Sequence, residues 1–175
     1  MPSPGVGWAD VTLTIEGLAE KKPLGIYVII EQMDDRYIGQ NLGKASKGSL
    51  LMKPESVDDW RYLGEEPKAY ERYNIKLGEK NVDQIRRFAK LLKLVEHGSD
   101  DEFARESGKR MNLEQFAGYL AATSILVNID SYIGMPHNYY LLMDKADGKL
   151  RMLPWDLNET FGTFTMGRSP EILVK

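Results

Sequence analysis

The chain has 175 residues, with 23 basic and 26 acidic side chains, a net charge of −3 and an apolar share of 42%. This size and apolar share fit one packed domain or slightly more. The charge balance argues against a nucleic-acid-binding protein, and the lack of cysteine excludes disulfides, thiol catalysis and thiolate metal sites. No apolar run approaches the roughly 18 residues of a spanning helix. The first ten residues show no export signal, so neither a membrane span nor a signal peptide is predicted, and the localisation stays open.

Strand patterns dominate the first part of the chain. Residues 11–15 (VTLTI) alternate apolar and polar side chains, which predicts a half-buried strand. Residues 25–30 (GIYVII) predict a second, more fully buried strand, and the two strands are expected to form an antiparallel hairpin. Asp34 or Asp35 is placed to cap a short helix, and residues 50–53 (LLMK) predict another short strand.

Helical patterns follow. Apolar residues recur at helical spacing over residues 82–95, with Asn81 as the expected N-cap. A short polar helix is expected over residues 100–107. A further helix begins after Asn112, with Gln115 in the position of a capping box.

The last secondary-structure unit is a predicted hairpin. Residues 139–143 (YYLLM) and 150–153 (LRML) are short, apolar and aromatic-rich, which is typical of strands. Asp147 and Gly148 lie between them and predict a tight turn, because a primed turn needs residues that tolerate positive φ.

Polar side chains flank this hairpin on both sides. Asp130, His137 and Asn138 precede its first strand, and Asp156 follows its second strand. Because a hairpin folds back on itself, both ends are expected to lie side by side. Two carboxylates and an amide would then form one site, and such oxygen ligands suit a hard cation such as Mg²⁺.

The order of strands, helices and a final hairpin predicts an α+β fold, since no regular βαβ repeat is present. A boundary is expected near Gly78. It separates a β-rich part, residues 1–77, from a helical part with the hairpin, residues 78–175.

Each of these residues also has a purely structural interpretation. Aspartates often cap helices and anchor turns. For His137 the favoured interpretation is that its side chain forms a hydrogen bond that orders the loop, rather than that it binds a metal. For Asp156 the surroundings matter, because a carboxylate buried among apolar residues is costly unless it is paired or well hydrogen-bonded. Neither the G-x-x-x-x-G-K-[ST] phosphate loop nor the G-x-S-x-G elbow of serine hydrolases is present.

A longer pattern carries a family resemblance. The segment YLAATSILVNIDSYIGMPHNYYLLMDKADGKLRMLPWDLNETFG closely resembles the core of the spore coat protein H (CotH) family of atypical protein kinases. Upstream, GIYVIIEQMDDRYIGQNLG followed by GSLLMK resembles the same family. The resemblance covers nearly the whole chain, from about residue 11 to residue 162, and implies a divergent protein-kinase-like fold.

The resemblance also implies an activity, the transfer of the γ-phosphoryl group of ATP to Ser or Thr of a protein substrate. Asp130 matches the catalytic-loop Asp, which orients the acceptor hydroxyl and takes its proton. Asn138 matches the catalytic-loop Asn and Asp156 the acid of the D-F-G motif, so both are expected to hold Mg²⁺ or Mn²⁺. Lys53 and Lys76 are candidate phosphate contacts, with Glu31 as a candidate partner for a lysine.

The sequence departs from the family pattern in two respects. Asn158 stands where a second acid is common, which would weaken a second metal contact. The family domain also extends further on both sides, so the chain resembles the middle of a larger domain, with residues 1–77 as a remnant of the nucleotide lobe and residues 78–175 as a portion of the catalytic lobe. Apolar surface is therefore expected to be exposed, and self-association would cover it.

Two other hypotheses remain open. One is a truncated, catalytically inactive module of the same fold that binds or assembles, motivated by the missing parts and by Asn158. The other is a two-carboxylate glycoside hydrolase, in which the carboxyl groups lie roughly 5 to 9.5 Å apart. No aromatic pattern predicts a sugar site, and the resemblance argues against this hypothesis.

Overall fold

The computed structural model describes residues 2–55 and 60–164. It confirms the α+β class, since helices and antiparallel sheets are mixed along the chain. The helices are α1 (Asp35–Asn41), α2 (Val82–His97), α3 (Asp100–Arg110) and α4 (Leu113–Ile125). The strands are β1 (Val6–Ile15), β2 (Ala19–Ile30), β3 (Leu50–Met52), β4 (Ile75–Leu77), β5 (Tyr139–Met143) and β6 (Leu150–Pro154). None of the helices in this described part has both the length and the apolarity that a membrane-spanning segment needs.

The N-terminal hairpin is longer and more exposed than the sequence predicted. Strands β1 and β2 pair antiparallel, from Val6 opposite Ile30 to Ile15 opposite Ala19, and no third strand of the described chain joins them. The prediction of a more fully buried second strand is wrong, because every residue of β2 after Ala19 is exposed, and Ile26 is 74% exposed. An apolar run indicates that a strand would be more stable if buried. It does not show whether another element of the fold packs against that strand.

The second sheet is the centre of the molecule. Its strand order is β4-β3-β5-β6, and every neighbouring pair is antiparallel. Strands β3 and β4 come from residues 1–77, and β5 and β6 come from residues 78–175, so the division expected near Gly78 runs through a continuous sheet.

One face of this sheet carries the larger hydrophobic core. Helices α2 and α4 cover it, and alternate residues of the central strands point into it because successive side chains of a strand face opposite sides. Fully or nearly fully buried members of this core are Leu50, Met52, Tyr70, Tyr73, Phe88, Leu92, Tyr119, Leu141 and Met152.

The opposite face of the sheet has its own core under helix α1. Leu51, Leu142 and Leu153 point to this side, and Tyr37 and Ile38 of α1 pack on them. Because both faces are covered, the strands β3 and β5 are buried at every position.

The predicted helix caps are confirmed. Asp34 accepts a hydrogen bond from the backbone of Tyr37, Asn81 caps α2, and Asn112 accepts from the backbone of Gln115 at 3.0 Å. The Gln115 side chain does not complete a capping box. It pairs instead with the backbone of Met152, whose N–H donates to Oε1 at 2.9 Å, and so docks α4 onto β6.

The connection between β5 and β6 is not the tight turn that the Asp-Gly pair predicted. Six residues, 144–149, separate the two strands, and only Gly148 adopts positive φ, at 70°. The buried Asp144 organises this loop, since its carboxylate accepts from the backbone of Ala146 and from Arg151 Nε at 2.9 and 2.8 Å. A side-chain network therefore replaces the primed-turn geometry.

Two buried tyrosines, Tyr37 and Tyr70, are expected to differ in how removal of the hydroxyl changes the free energy of unfolding. The Tyr37 hydroxyl has no hydrogen-bond partner among the described residues, and burial with the charge of Glu31 raises the pKa of Tyr37 to about 12. The Tyr70 hydroxyl accepts from Leu63 N and donates to Gly64 O, at 3.1 and 2.9 Å. We expect Tyr37→Phe to leave the free energy of unfolding unchanged or higher, and Tyr70→Phe to lower it by about 1–2 kcal/mol.

Urea unfolding of the two variants beside the wild type measures this difference. An equal loss in both variants would contradict the account, because it would mean that the Tyr37 hydroxyl is satisfied.

Candidate functional site

The loop between α4 and β5 is tied back to the end of α4. Asn128 N donates to Thr123 O at 3.0 Å, and Met135 N closes the loop by donating to Ile129 O at 3.1 Å. Ser131, directly after Asp130, donates its hydroxyl to Asn128 O at 2.6 Å. The loop therefore has an internal backbone structure that fixes where Asp130 lies.

Asp130 is the best-defined side chain of this loop. It is only 9% exposed, and each of its carboxylate oxygens has a partner. His137 Nε2 lies 2.6 Å from Oδ1, and Asn138 Nδ2 lies 2.8 Å from Oδ2. Direct contacts thus bring together Asp130, His137 and Asn138. The hydrogen bond that was expected to order the loop joins the His137 ring to the Asp130 carboxylate.

Asn138 has a defined side-chain orientation. Its Nδ2 donates to both the carboxylate and the backbone carbonyl of Asp130, at 2.8 and 3.1 Å. The amide nitrogen faces Asp130, and no residue in the described part of the chain donates to the amide oxygen, so this oxygen is an available acceptor at the same end of the hairpin. Asn138 also has φ of 57°, a left-handed conformation that asparagine tolerates better than most residues.

Asp156 lies next to Asn138 through the ladder of β5 and β6. Trp155 N donates to Asn138 O at 3.2 Å, which extends the pairing of Tyr139 with Pro154 by one step. Asp156 follows directly, with φ of 51° and an exposed side chain. The cost of burying this carboxylate among apolar neighbours is therefore avoided, because the chain turns at Asp156 and its side chain is exposed.

A cavity of about 330 Å³ opens beside Asp156. Its lining consists of Ser3 and Pro4, the hairpin residues Val6, Val28 and Ile30, and residues 154–158. Asn158, which stands in place of the family's second acid, also lines this cavity and is exposed. The cavity thus combines apolar lining residues with one carboxylate, that of Asp156.

Backbone strain is concentrated around these residues. Six described residues other than glycine have positive φ, and four of them lie at the site: Val127, Asn138, Asp156 and Phe161. Phe161 N donates to Leu126 O at 2.6 Å, which joins the segment after Asp156 to the start of the Asp130 loop. Such conformations cost on the order of 1–3 kcal/mol each and cluster at functional sites.

Lys53 reaches the vicinity of this site. Its Nζ lies 5.9 Å from the centroid of the Trp155 ring and 3.8 Å from Glu55 Oε1. Trp155 is the residue before Asp156, so the Lys53 ammonium lies close to the segment that carries the proposed metal ligand.

Lys76 and Glu31 are not brought together with the other candidates. Lys76 is exposed on β4, at the sheet edge opposite β6. The carboxylate of Glu31 accepts from Gly5 N at 3.1 Å, and no lysine of the described chain forms an ion pair with it. Both residues therefore have ordinary structural surroundings.

The donor set fits a divalent cation that is completed by other ligands. Within residues 2–55 and 60–164, no three His, Asp or Glu side chains are arranged to hold a metal ion by themselves. Mg²⁺ does not need such a cluster, because it usually takes one or two carboxylates together with phosphate oxygens and water. The exposed Asp156 carboxylate and the amide oxygen of Asn138 are donors of the kind that such a site uses.

Substitution of Asp130 and of Asp156 by asparagine should change the free energy of unfolding by different amounts. Asp130→Asn keeps the shape of the side chain but replaces a charged acceptor of two hydrogen bonds, so we expect the free energy of unfolding to fall by about 1–3 kcal/mol. Asp156→Asn changes an exposed side chain and keeps a residue that tolerates positive φ, so we expect a change within about 0.5 kcal/mol. Chemical denaturation measures both, and a loss at position 156 equal to that at 130 would contradict this geometry.

Comparison with known proteins adds the family. No curated protein matches the chain. A family model described as CotH kinase protein matches residues 4–172, which is nearly the whole chain and includes every candidate residue above. The chain belongs to the CotH kinase family.

Proposed function

We propose that this protein is the core of a CotH-type atypical kinase, which transfers the γ-phosphoryl group of ATP to a Ser or Thr hydroxyl of a protein substrate. Membership of the family points to a kinase-like function and to a protein as substrate. The single observation that carries the finer proposal is the Asp130 carboxylate, held on both oxygens by His137 and Asn138. A carboxylate fixed in this way is oriented before the substrate arrives.

Asp130 is the proposed group that orients the acceptor hydroxyl and takes its proton. Each carboxylate oxygen has two lone pairs, so each can accept a second hydrogen bond besides the one it already has. Phosphoryl transfer depends mainly on in-line positioning and on neutralised phosphate charge, with little covalent help from the protein. A rigid acceptor beside the hydroxyl satisfies the first of these requirements.

Asp156 and Asn138 are the proposed ligands of Mg²⁺ or Mn²⁺. When bound with ATP, the cation supplies positive charge against the phosphates. The protein contributes one exposed carboxylate and one amide oxygen on adjacent positions of the hairpin end. With Asn158 beside them, the site has less negative charge than a family member with a second acid.

The cavity beside Asp156 is the proposed place of the nucleotide. Its apolar lining residues Val6, Val28 and Ile30 suit a flat base, and the Asp156 carboxylate in the same lining suits the metal that accompanies the phosphates. Lys53 stays a candidate phosphate contact because of its position over Trp155. The positions of Lys76 and Glu31 add no support for the roles expected of them. Residues 1–77 would then provide the nucleotide side of the site and residues 78–175 the catalytic side.

The exposed hairpin supports a further part of this proposal, self-association with a second copy of the chain. Two-stranded hairpins are marginally stable alone in water, and each free edge offers unpaired N–H and C=O groups. In this hairpin Trp8 and Ile26 share one face and are each 74% exposed, and neither lines the cavity beside Asp156. A second copy presents the same edge and the same face, so an isologous contact covers both.

Transfer of labelled phosphate from ATP to a general protein substrate tests the proposed activity. We expect Mg²⁺- or Mn²⁺-dependent transfer in the wild type, and at least a hundredfold loss in Asp130→Asn and in Asp156→Ala. Lys90→Ala is the control, because it removes an exposed charge on α2 for which no contact with ATP is proposed. Unchanged transfer in Asp156→Ala would contradict the metal assignment.

The same variants separate the kinase from an inactive module of the same fold. Ligand at 100 times its Kd adds about 2.7 kcal/mol to the free energy of unfolding. We expect Mg²⁺ with ATP to raise the melting temperature of the wild type and not that of Asp156→Ala. No rise and no transfer would favour the binding or assembly module, whereas sugar cleavage without ATP would favour the glycosidase.

Sedimentation velocity tests self-association. We expect the wild type to sediment as a dimer at micromolar concentration and Trp8→Lys to shift toward monomer, because a charge would have to be buried in the contact. Leu18→Lys, at the exposed turn of the hairpin, is the control and should sediment like the wild type. A monomeric wild type would contradict the proposal.

A further inference from the structure

The residue that follows Asp130 is buried although it is polar. Ser131 is 1% exposed, and its hydroxyl donates to Asn128 O at 2.6 Å. Asn128 N donates in turn to Thr123 O of helix α4 at 3.0 Å. The first bond spans Asp130 in the chain, and the second connects that segment to the last turn of α4.

Tyr119 makes a second connection from the same helix. It lies one turn before Thr123 and is 1% exposed. Tyr132 N donates to the Tyr119 hydroxyl, which also contacts the hydroxyls of Thr123 and Ser131. Since those two hydroxyls donate to Tyr119 O and Asn128 O, the Tyr119 hydroxyl is the donor in its contact with them. Burial outweighs these bonds and raises the pKa of Tyr119, so the hydroxyl keeps its proton in the folded protein.

The backbone between α4 and Asp130 is strained, and these bonds hold it in place. Val127 has φ of 50°, a conformation that a β-branched residue rarely adopts. Such a conformation persists only where the surroundings determine it more than once. Thr123, Ser131 and Tyr119 supply those surroundings, and they do so without contacting the proposed nucleotide cavity.

We propose that Ser131 and Tyr119 are positioning residues for Asp130, which they hold against His137 and Asn138 through the backbone of the loop. The effect of these two residues on phosphoryl transfer rests on the proposed kinase function, whereas their effect on the position of Asp130 does not. Neither residue is marked by the sequence pattern as more than a core or loop position.

The placing of Asp130 is measured by nuclear magnetic resonance on isotope-labelled protein. The Asn138 side-chain amide reports its bond to the Asp130 carboxylate, and the Tyr132 backbone amide reports its bond to Tyr119. We expect Ser131→Ala and Tyr119→Phe to shift the Asn138 side-chain signal. Exchange of the Tyr132 amide with solvent should become at least tenfold faster in Tyr119→Phe.

The chain offers a matched control for each variant. Ser49 is buried and donates to the carbonyl three residues earlier, Ser46 O, at 2.5 Å, as Ser131 does to Asn128. Tyr70 is buried and holds the backbone N–H of Leu63. We expect Ser49→Ala and Tyr70→Phe to lower the melting temperature to a similar extent and to leave the Asn138 signal in place.

Kinetics then test the role in transfer. A misplacement on the order of 1 Å can cost about a hundredfold in rate. We expect Tyr119→Phe and Ser131→Ala to lower kcat about tenfold or more with KM within about twofold. In an Asp130→Asn background the same changes should have no further effect, because they act through Asp130.

The outcomes separate this inference from the proposed function. An unshifted Asn138 signal, or equal shifts in the control variants, overturns the inference whether or not the chain transfers phosphate. Loss of the Asn138 contact in a chain without transfer supports the positioning role and contradicts the kinase proposal instead.

Discussion

The site depends on one interaction, the buried Asp130 carboxylate with a donor on each oxygen. A carboxylate that is removed from water is costly unless hydrogen bonds replace its hydration. His137 and Asn138 supply those bonds, and both come from the segment that leads into β5. The contact therefore fixes the loop after α4 to the start of the hairpin and fixes the direction in which Asp130 can accept a further proton donor.

The β5–β6 hairpin transmits this order to Asp156. Strand β5 is buried on both faces and pairs with β3 on one side and β6 on the other, so its position is set by the central sheet. The ladder continues to Asn138 and Trp155, and the chain then turns at Asp156. A reactive group at the end of a rigid strand is held more accurately than one in a free loop. The strained conformations of Asn138 and Asp156 show that this end of the sheet is determined by tertiary contacts.

Local signals in the sequence predicted a large part of this structure. The caps Asn81 and Asn112, the strands β5 and β6, and the proximity of Asp130 and Asn138 all follow from contacts between residues close in sequence. Features that depend on distant surfaces were not predicted. The apolar run of β2 indicates a preference for burial, but whether another element covers it is a property of the whole fold.

The same limit explains the other differences. The Asp-Gly pair predicted a tight turn from its own propensity, whereas a buried Asp144 with Arg151 determines the longer loop that forms. Gln115 has the spacing of a capping-box residue, but its side chain hydrogen-bonds to the backbone of Met152 on β6 instead. Lys76 was a candidate phosphate contact, and it lies on the edge strand opposite β6. No sequence motif marks Ser131, because its hydrogen bond to Asn128 O depends on the conformation of the loop around it.

The most direct measurement of the central claim places the cation itself. Mn²⁺ added with a non-hydrolysable ATP analogue broadens the magnetic resonance signals of nearby nuclei. The account predicts strong broadening at Asn138 and Asp156, weaker broadening at Lys53, and none at Lys76 on the opposite edge of the sheet. Broadening confined to other parts of the chain, or none under conditions where the nucleotide is bound, would contradict it.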